Sequence, residues 1–487
     1  MTAVTLLQPL PVASPRPYVS SKPVSRAVPV TLDYTLRDLY ALDSDDAPQD
    51  ITLAYDYPCK FPRAQLTQSS AVQFLYAANF PGADAEEEIP NLVKRGVAQR
   101  YSFLAGRSSV IMVDLSGTGG DDLAAIVNTS QEDVLGVYDQ LCPDQRPNVQ
   151  FITSLHDAQL APDSPTAVII PQDHLCHFTQ ILDPKVHYEI LSKRWLALCG
   201  LPTPKSKVID PLPIEAWGAG RDAEIRRMLH AVQLQELPFV VKVSIATSGR
   251  GTYVIHSESD RENMCNELRD ILQDTLGKVH EENERLYPAS FVIQELVPGE
   301  AHGVTFFVTK RGRVVYLATS QQRFDTEGHW KGARVSYLLE PVFQNRYRNT
   351  LDALARELHK KGYYGPAGAD IMTDQNGKQV IVDVNPRVTG SYQLGLLKTH
   401  FMQRGLFEAA VLSPLIMRCT RSTFESQFAR EILEGRMIIN SWVHDCKRES
   451  SWTAVTVGAE DTVQLGRLVR VIETFVNTGE YSVAAEL

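Results

Sequence analysis

The sequence predicts a mixed α/β and α+β protein, and three observations lead to this fold class. Over residues 31–185, short apolar runs alternate with helical patterns, which is typical of a parallel α/β sheet. Over residues 186–400, apolar strands follow one another across short turns, with helices between them. Residues 401–487 carry helix and strand patterns without recognisable chemistry, which predicts a small C-terminal α+β extension.

Composition and charge narrow the possible partners. The chain has 487 residues, enough for two to four domains at roughly 150 residues each. Its net charge is −10 and its basic residues are scattered, whereas nucleic-acid binding requires a basic stripe. The negative net charge also opposes binding to anionic membranes. No apolar run in the sequence reaches the roughly 18 residues of a membrane span. The sequence therefore predicts neither a nucleic-acid nor a membrane partner.

The seven cysteines predict a cytoplasmic location. Their number is odd and no CxxC pair occurs, which argues against a zinc cluster and against a disulfide-built secreted fold. One or two disulfide bridges are the alternative. Residues 1–30 are rich in Pro and Ser and lack a basic n-region, so a disordered tail is predicted rather than a signal peptide.

The N-terminal region has one glycine-rich turn. "SSVIMVDLSGTGGDDLAAIV" predicts a strand, a turn and a helix, and "VQFITSL" and "TAVIIPQ" predict further buried strands. Backbone amides of Gly117, Gly119 and Gly120 could surround an anion at a helix N-terminus. The turn is neither a GxGxxG motif nor a P-loop, so a tight strand-to-helix connection is favoured.

The central region begins with a helix and a hairpin. "YEILSKRWLALCGLPTPKSKVI" predicts a helix that stops before Pro202 and then an extended segment. "LPFVVKVSIATSGRGTYVIHSESD" predicts two strands around a loop of small residues, followed by a helix over roughly 258–286. Lys242 lies in the first strand, where a lysine is costly unless it meets an anion. The loop Ser248–Thr252 would let backbone N–H groups approach phosphate oxygens, with an ordinary hairpin turn as the alternative.

A second strand ends at a Pro-Gly turn, in "FVIQELVPGEAHGV". The backbone at such a strand end, over Glu295, Leu296 and Val297, can contact an adenine edge. Glu295, Glu300 or His302 could then reach ribose hydroxyls. A solvated turn is the alternative.

The most informative segment is "QVIVDVNPRVTGSYQLGLL", residues 379–397. Asp383, Asn385 and Arg387 alternate along a strand, so their side chains leave the same face. Asp370 ends the preceding apolar strand, across the "DQNGK" turn. Two carboxylates and an amide suit Mg²⁺, and Arg387 could neutralise charge on a transferred phosphoryl group or an oxyanion. The alternatives are a solvent-facing strand end and a structural ion pair of Arg387 with one of these acids.

The order of these elements resembles the ATP-grasp superfamily, over about residues 186–400. A helix-borne Lys193 precedes Lys242 and its small-residue loop, and the hinge near Glu295, Asp370 and "DVNPR" follow. The resemblance implies two α+β subdomains that clamp ATP, with a lid subdomain over about 205–257. Residues 31–185 would be the α/β domain that precedes this fold. Residues 401–487 resemble the extra C-terminal domain of some peptide ligases of natural-product pathways.

The resemblance also implies roles for individual residues. Lys193 and Lys242 would bind phosphates, and Asp370, Asp383 and Asn385 would bind Mg²⁺. The family usually has Glu in place of Asp383, although the shorter carboxylate can still bind Mg²⁺. The implied ATP-binding residues also include the lid loop, the hinge and the ribose contacts: Ser248, Gly249, Arg250, Gly251, Thr252, Glu295, Leu296, Val297, Glu300 and His302.

The implied activity is ATP-dependent ligation of a small-molecule carboxylate to an amine through an acyl phosphate, with release of ADP and phosphate. Arg387 and the backbone amides around Gly390 and Ser391 would hold the acyl oxygen. Arg323 and Arg334 could grip a substrate carboxylate, with a solvated loop as the alternative. A non-catalytic ATP-binding module and an ATP-grasp kinase with a hydroxyl acceptor are the other functions considered. Homodimers are common in this superfamily.

Overall fold

The structure is a computed structural model, and its description covers most of the chain. The described residues are 28–44, 51–56, 72–76, 89–113, 131–152, 155–160, 164–246, 251–326, 328–446 and 448–479. Gly117, Gly119 and Gly120 of the glycine-rich turn, and most of the predicted N-terminal tail, lie outside them. Within the described part of the chain, no helix combines the length and the apolar character that a bilayer crossing needs.

The N-terminal region forms the predicted parallel sheet. Its strand order is β3-β2-β1-β4, and all three strand pairs are parallel. The strand Thr52–Tyr55 inside this sheet is fully buried, because both faces of a parallel sheet are usually covered. The strand Asn148–Ile152 at its edge is mostly only partly buried, so the prediction of a buried strand in "VQFITSL" is wrong for most of its residues. The four strands are β1 Thr52–Tyr55, β2 Ser109–Val113, β3 Asn148–Ile152 and β4 Thr166–Val168.

A second, antiparallel sheet carries the predicted hairpin. Its order is β5-β8-β6-β7, and the helices Arg221–Gln233 and Glu258–Leu276 share an apolar core with it. The predicted helix over 258–286 ends earlier, at Leu276, because the chain turns at Gly277 and makes only a 3-10 turn at Glu284–Leu286. The strands are β5 Ser206–Ile209, β6 Phe239–Val243, β7 Thr252–Ile255 and β8 Phe291–Glu295. This sheet extends beyond the 205–257 predicted for the lid.

The third sheet has eight strands in the order β13-β12-β9-β10-β11-β14-β16-β15, and every pair in it is antiparallel. It runs without interruption across residue 400, where the sequence predicts a domain boundary. The division into domains therefore stays a prediction. The strands are β9 Glu300–Val308, β10 Val314–Phe324, β11 Trp330–Ser336, β12 Gly365–Thr373, β13 Gln379–Asn385, β14 Glu408–Met417, β15 Met437–Asp445 and β16 Ser450–Ala459.

Helices cover the large sheet. The long helix Glu340–Lys360 buries Leu351, Leu354 and Leu358 against the apolar side chains of β9, β12 and β13. Further helices are Leu36–Ala41, Ile89–Ser102, Tyr392–Leu396, Lys398–Met402, Arg421–Gln427, Ala429–Leu433 and Thr462–Thr478. One continuous core joins the N-terminal sheet to β14, β15 and β16, so the first and last parts of the chain pack together.

Two short helices replace the single helix predicted before Pro202. Asp183 caps the helix Pro184–Ile190, and its side chain accepts hydrogen bonds from the backbone N–H groups of Lys185 and Val186. Ser192 caps the helix Lys193–Leu198 by accepting from the backbone N–H of Trp195. A capping serine starts a new helix, which places Lys193 at the first helical position.

Candidate active site

The candidate site is built on the β12–β13 hairpin. Asp374 stabilises the tight turn by accepting hydrogen bonds from two backbone N–H groups, those of Asn376 and Lys378. Asp370 then lies directly opposite Asp383, but Ile371 pairs with Ile381, so Val382 is the extra residue of a β-bulge. The register and the bulge together set two carboxylates side by side at one end of the sheet.

Both predicted phosphate-binding lysines converge on this hairpin. The Lys193 Nζ donates a hydrogen bond to Asp383 Oδ1 across 190 residues of chain. The Lys242 Nζ donates to the carbonyl oxygen of Val382, the extra residue of the bulge, at 2.5 Å. Each lysine is only 8% exposed. The bulge therefore serves two purposes, because it aligns the acids and offers an acceptor to Lys242.

Asn385 and Arg387 extend the same face, as the alternation predicts. Asn385 Nδ2 lies 3.4 Å from Asp383 Oδ2, and Arg387 Nη2 donates to Asn385 Oδ1 at 3.0 Å. The guanidinium also donates to the carbonyl of Val388 at 3.1 Å. Arg387 thus contacts the amide rather than either acid, and the alternative of an Arg387–acid ion pair is not what the structure contains.

The two carboxylates of the site have opposite electrostatic environments. Burial opposes ionisation of Asp383, but the ammonium groups of Lys193 and Lys242 outweigh it and hold the pKa of Asp383 below its usual value. Burial, and then the negative charge of Asp383, raise the pKa of Asp370. Burial lowers the pKa of Lys242. A cation between the two acids would favour the charged form of Asp370.

This donor set fits Mg²⁺. Within the described residues no group of three or more His, Cys, Asp and Glu side chains is placed to hold a metal. Two carboxylates with an amide oxygen beside them are instead the incomplete set that Mg²⁺ uses when substrate phosphates and water supply its remaining ligands. Asp370, Asp383 and Asn385 are the residues that would hold it.

The lid and hinge residues are placed only in part. Ser248, Gly249 and Arg250 lie outside the described residues. Gly251 has a φ of +67°, and a Cβ there would lie 2.9 Å from the Ala246 Cβ, so the turn requires glycine. Thr252 pairs directly with Lys242 across the two strands. The loop is therefore joined to the strand that carries the buried lysine.

The predicted hinge lies at the end of β8. Glu295 is exposed, and its Oε1 accepts a hydrogen bond from the backbone N–H of Lys205 at 2.9 Å. This contact holds the carboxylate at the residue that precedes β5. Leu296 and Val297 follow as partly exposed residues outside regular structure, and Glu300 begins β9.

The structure corrects the expectation for His302. Its side chain is 2% exposed, its Nδ1 lies 2.9 Å from the Tyr347 hydroxyl, and its ring packs against Phe343. Since residues two apart on a strand share a face, His302 points with Val304 and Phe306 toward the helix Glu340–Lys360. Its neighbour Gly303, opposite Asp370, lies on the side of the candidate site instead.

The four residues predicted to contact substrate, Arg323, Arg334, Gly390 and Ser391, have different neighbours in the structure. Arg323 donates to Glu473 Oε1 at 2.6 Å, on the last helix, and Arg334 donates to Gln321 Oε1 at 2.7 Å. Gly390 lies against the ring of Trp330, where a Cβ would approach to 2.6 Å. Ser391 is 4% exposed and precedes the helix Tyr392–Leu396. The pairing of Arg323 leaves it a weaker candidate for a substrate carboxylate.

Three residues near the site were not predicted from the sequence. A Cβ on Gly303 would lie 2.0 Å from Gln322 Nε2 and 3.2 Å from Asp370 Oδ1, so Gln322 borders the acids. The Trp330 indole N–H donates to Gln322 Oε1 at 2.5 Å, and the Arg100 guanidinium lies 5.6 Å from the Trp330 ring centre. The available sequence signal was an arginine within the apolar run "RYSFLA", far along the chain from the other motifs.

A comparison with known protein families finds one match, and it falls on the segment that carries most of the candidate site. Residues 221–385 match the family model described as L-aspartate–L-methionine ligase, ATP grasp. The matched segment contains Lys242, the hinge, Asp370, Asp383 and Asn385. The match covers about a third of the chain, so it is residues 221–385 that are similar to this ATP-grasp family.

The similarity to individual solved structures is low in sequence identity. The chain is similar to N5-carboxyaminoimidazole synthetase from Staphylococcus aureus complexed with ADP, at 11% identity over 78% of this chain and 94% of that one, with a TM-score of 0.46. It is also similar to L-amino acid ligase from Bacillus licheniformis, at 10% identity over 88% and 98%, with a TM-score of 0.44. No curated protein matches the chain by sequence. Since these TM-scores are below 0.5, the functional conclusion below relies on the family match and the geometry of the site.

Proposed function

We propose that the protein is an ATP-dependent carboxylate–amine ligase that joins two amino acids through an acyl phosphate. One observation carries the proposal: two buried lysines, Lys193 and Lys242, meet the paired acids Asp370 and Asp383 on one hairpin. Positive groups beside a paired-carboxylate site are what a triphosphate with its cation requires. The family description, L-aspartate–L-methionine ligase, supports amino acids as the two substrates.

In the first step, a substrate carboxylate oxygen attacks the γ-phosphorus of ATP in line, and the bond to the β-phosphate oxygen breaks to release ADP. Lys193 and Lys242 neutralise charge on the phosphates. Because both ammonium groups are held by Asp383 and the Val382 carbonyl, they are positioned before the substrate arrives. When bound at Asp370, Asp383 and Asn385, Mg²⁺ would neutralise further phosphate charge.

In the second step, the amine nitrogen of the other amino acid attacks the acyl carbon and loses a proton, and the bond to phosphate breaks. Negative charge develops on the acyl oxygen as the carbon becomes tetrahedral. Arg387 is the last of the three polar residues on this face, after Asp383 and Asn385. It donates to Asn385 and Val388, and these hydrogen bonds orient its guanidinium to stabilise the acyl oxygen. The backbone amides around Gly390 and Ser391, which follow Arg387 in the chain, would help to hold the same acyl oxygen.

Phosphate release tests the proposal. The protein is supplied with ATP, Mg²⁺ and pairs from an amino-acid panel that includes L-aspartate with L-methionine, and ADP, phosphate and dipeptide are measured. We expect ADP, phosphate and dipeptide in equal amounts for at least one pair. ADP without phosphate would instead indicate a kinase. Neither product, together with stabilisation against heat by nucleotide, would indicate a binding module.

A further inference from the structure

Among the residues that the structure describes, the buried cation Arg100 has no acidic partner. It lies in the last turn of the helix Ile89–Ser102 and is 5% exposed. Its Nη1 donates to the Ser413 hydroxyl at 2.8 Å and its Nη2 to the Tyr101 hydroxyl at 3.2 Å, and both acceptors are neutral. Its Nε is buried with no hydrogen-bond partner within the described residues.

A purely structural role does not account for this arrangement. A guanidinium has five N–H donors, and its burial is costly unless an anion compensates for the lost hydration. The helix dipole favours a cation in the last turn, but that contribution is small compared with the cost of burial. By contrast, Arg421, another mostly buried arginine, pairs with Glu425 at 2.6 Å and also donates to two backbone carbonyls.

Arg100 is connected to the acids of the candidate site by two side chains. Its guanidinium lies over the Trp330 ring at 5.6 Å and over the Tyr101 ring at 4.9 Å, which fixes the plane of the group. Trp330 donates to Gln322, and Gln322 borders Gly303 beside Asp370. Gln322 and Trp330 therefore link the acids at the phosphate end of the site to Arg100.

Gln393, three residues after Gly390, is another buried polar residue whose side chain has no partner among the described residues. Gln393 is 1% exposed, and neither its amide nitrogen nor its amide oxygen has a hydrogen-bond partner within the described residues. It lies one helical turn beyond Gly390, which touches Trp330. Unsatisfied buried polar groups are rare in folded proteins, and one explanation is a missing ligand.

We propose that Arg100 binds the carboxylate group of an amino-acid substrate that takes no part in bond formation. Trp330 and Ser413 would hold the guanidinium of Arg100 in place. This inference rests on the proposed function and names the residue that selects amino acids over simple acids or amines. The guanidinium has five N–H donors, and Nη1 and Nη2 each use one of theirs, so the remaining donors can bind a carboxylate. The carboxylate can come from either substrate: the α-carboxylate of the amine donor, or the second carboxylate of a dicarboxylic acid donor.

Equilibrium binding tests the inference independently of turnover. Calorimetry is performed on the full chain with a non-hydrolysable ATP analogue and Mg²⁺, using L-methionine, L-methioninamide, L-aspartate and L-asparagine as probes. The proteins compared are wild type, Arg100→Gln and Arg100→Lys, with Arg421→Gln as the control at a partly buried arginine that already has an acidic partner. The amide probes show which substrate supplies the carboxylate, because each lacks one of the two candidates.

We expect Arg100→Gln to weaken binding of one carboxylate probe by about 30-fold or more, the range for a lost charge-assisted pair. The matching amide should bind weakly and equally to wild type and variant. The affinity of Arg100→Lys for the carboxylate probe should lie between those of wild type and Arg100→Gln. Arg421→Gln should bind the probe like wild type. Unchanged affinity in Arg100→Gln, equal binding of acid and amide to wild type, or no binding of any probe would each overturn the assignment.

Two further measurements separate this inference from the alternatives. Arg100→Gln removes an uncompensated buried charge, so its unfolding temperature should equal or exceed that of wild type, whereas a structural arginine would lower it. In the turnover assay the KM for one amino acid should rise at least 10-fold while kcat and the KM for ATP change less than threefold. If probes bind in an Arg100-dependent way but no pair yields dipeptide, the proposed ligase fails and the carboxylate site stands.

Discussion

At the scale of single residues, each cation of the hairpin site donates a hydrogen bond to an acceptor that holds it in place. Lys193 has Asp383, Lys242 has the Val382 carbonyl, and Arg387 has Asn385. Of these three contacts, only the one between Lys193 and Asp383 joins opposite charges, and the other two cations have neutral acceptors. Asp383 makes two of the contacts in this site, because it accepts a hydrogen bond from Lys193 and lies beside Asn385.

Replacement of Asp383 by asparagine should abolish turnover and preserve the fold. The amide keeps the shape of the side chain but removes the charge that would hold Mg²⁺ and that compensates Lys193. We expect phosphate release to fall more than 100-fold while the unfolding temperature changes by only a few degrees. The matched control is Asp274→Asn at a carboxylate that is 66% exposed. Wild-type turnover in the Asp383 variant would refute the metal assignment.

His400 should make stability depend on pH. It is 2% exposed, its Nε2 lies 3.0 Å from the Gly435 carbonyl, and burial lowers its pKa to about 4 from an ordinary value of 6.5. Between these values the unfolded chain binds a proton that the folded protein does not. His400 therefore stabilises the fold fully above pH 6.5, and this contribution is lost as the pH falls to about 4.

Urea unfolding at a series of pH values measures this effect. The difference in unfolding free energy between wild type and His400→Gln should change by up to about 1.4 kcal/mol per pH unit within that window and stay constant above it. His230→Gln, at an exposed histidine of the helix Arg221–Gln233, is the control. A difference between wild type and His400→Gln that does not vary with pH would contradict the prediction.

At the scale of elements, irregularities in the strands position the site. The bulge at Val382 aligns Asp370 with Asp383, and a register shift next to Phe324 lets Trp330 reach Gln322. Periodicity predicts which residues alternate but not where a strand gains an extra residue. The close contact between β11 and β14 depends on a glycine, Gly332, whose φ is +135°.

Gly332→Ala should therefore disrupt the centre of the large sheet. A Cβ at this position would lie 2.0 Å from the carbonyl oxygen of Val411 on the neighbouring strand, in a backbone conformation that other residues rarely adopt. We expect a loss of more than about 2 kcal/mol in unfolding free energy, measured by urea titration. Gly200→Ala, at a φ of +81° with open space around the position, should cost only about 1 kcal/mol. Equal losses in both variants would show that the contact with Val411 is unimportant.

At the scale of the whole molecule, the two ends of the chain share one core. Gln99 Oε1 accepts a hydrogen bond from the backbone N–H of Trp442 at 2.6 Å, and a Cβ on Gly96 would overlap the ring of Trp452. The helix Ile89–Ser102, which carries Arg100, is thus held against β15 and β16. The position of the proposed carboxylate site depends on this packing.

Removal of residues 401–487 should prevent folding rather than release a separate domain. It would uncover the edge of β11 and the apolar surface that faces Trp442 and Trp452, which favours aggregation. We expect the truncated chain to be insoluble on expression, as measured by the soluble fraction. A chain ending at residue 479 retains every described element and should behave like the full chain. Soluble truncated protein that binds nucleotide would support the domain boundary at 400 instead.

Local patterns in the sequence were sufficient for much of the site. The hairpin of β12 and β13 with its turn, the shared face of Asp383, Asn385 and Arg387, and the strand position of Lys242 all follow from residues close together in the chain. Strand alternation and turn chemistry act over a few residues, so a single sequence contains the information.

Tertiary structure alone decided the contacts between distant segments. The order of strands in the sheets brings Lys193 to Asp383 and Arg100 to Trp330, and the helix Glu340–Lys360 buries His302 away from the site. These outcomes depend on which faces become covered when apolar surface is buried, and that is a property of the packed molecule as a whole. The sequence by itself therefore determined the class of chemistry, and the packing determined which residues can take part in it.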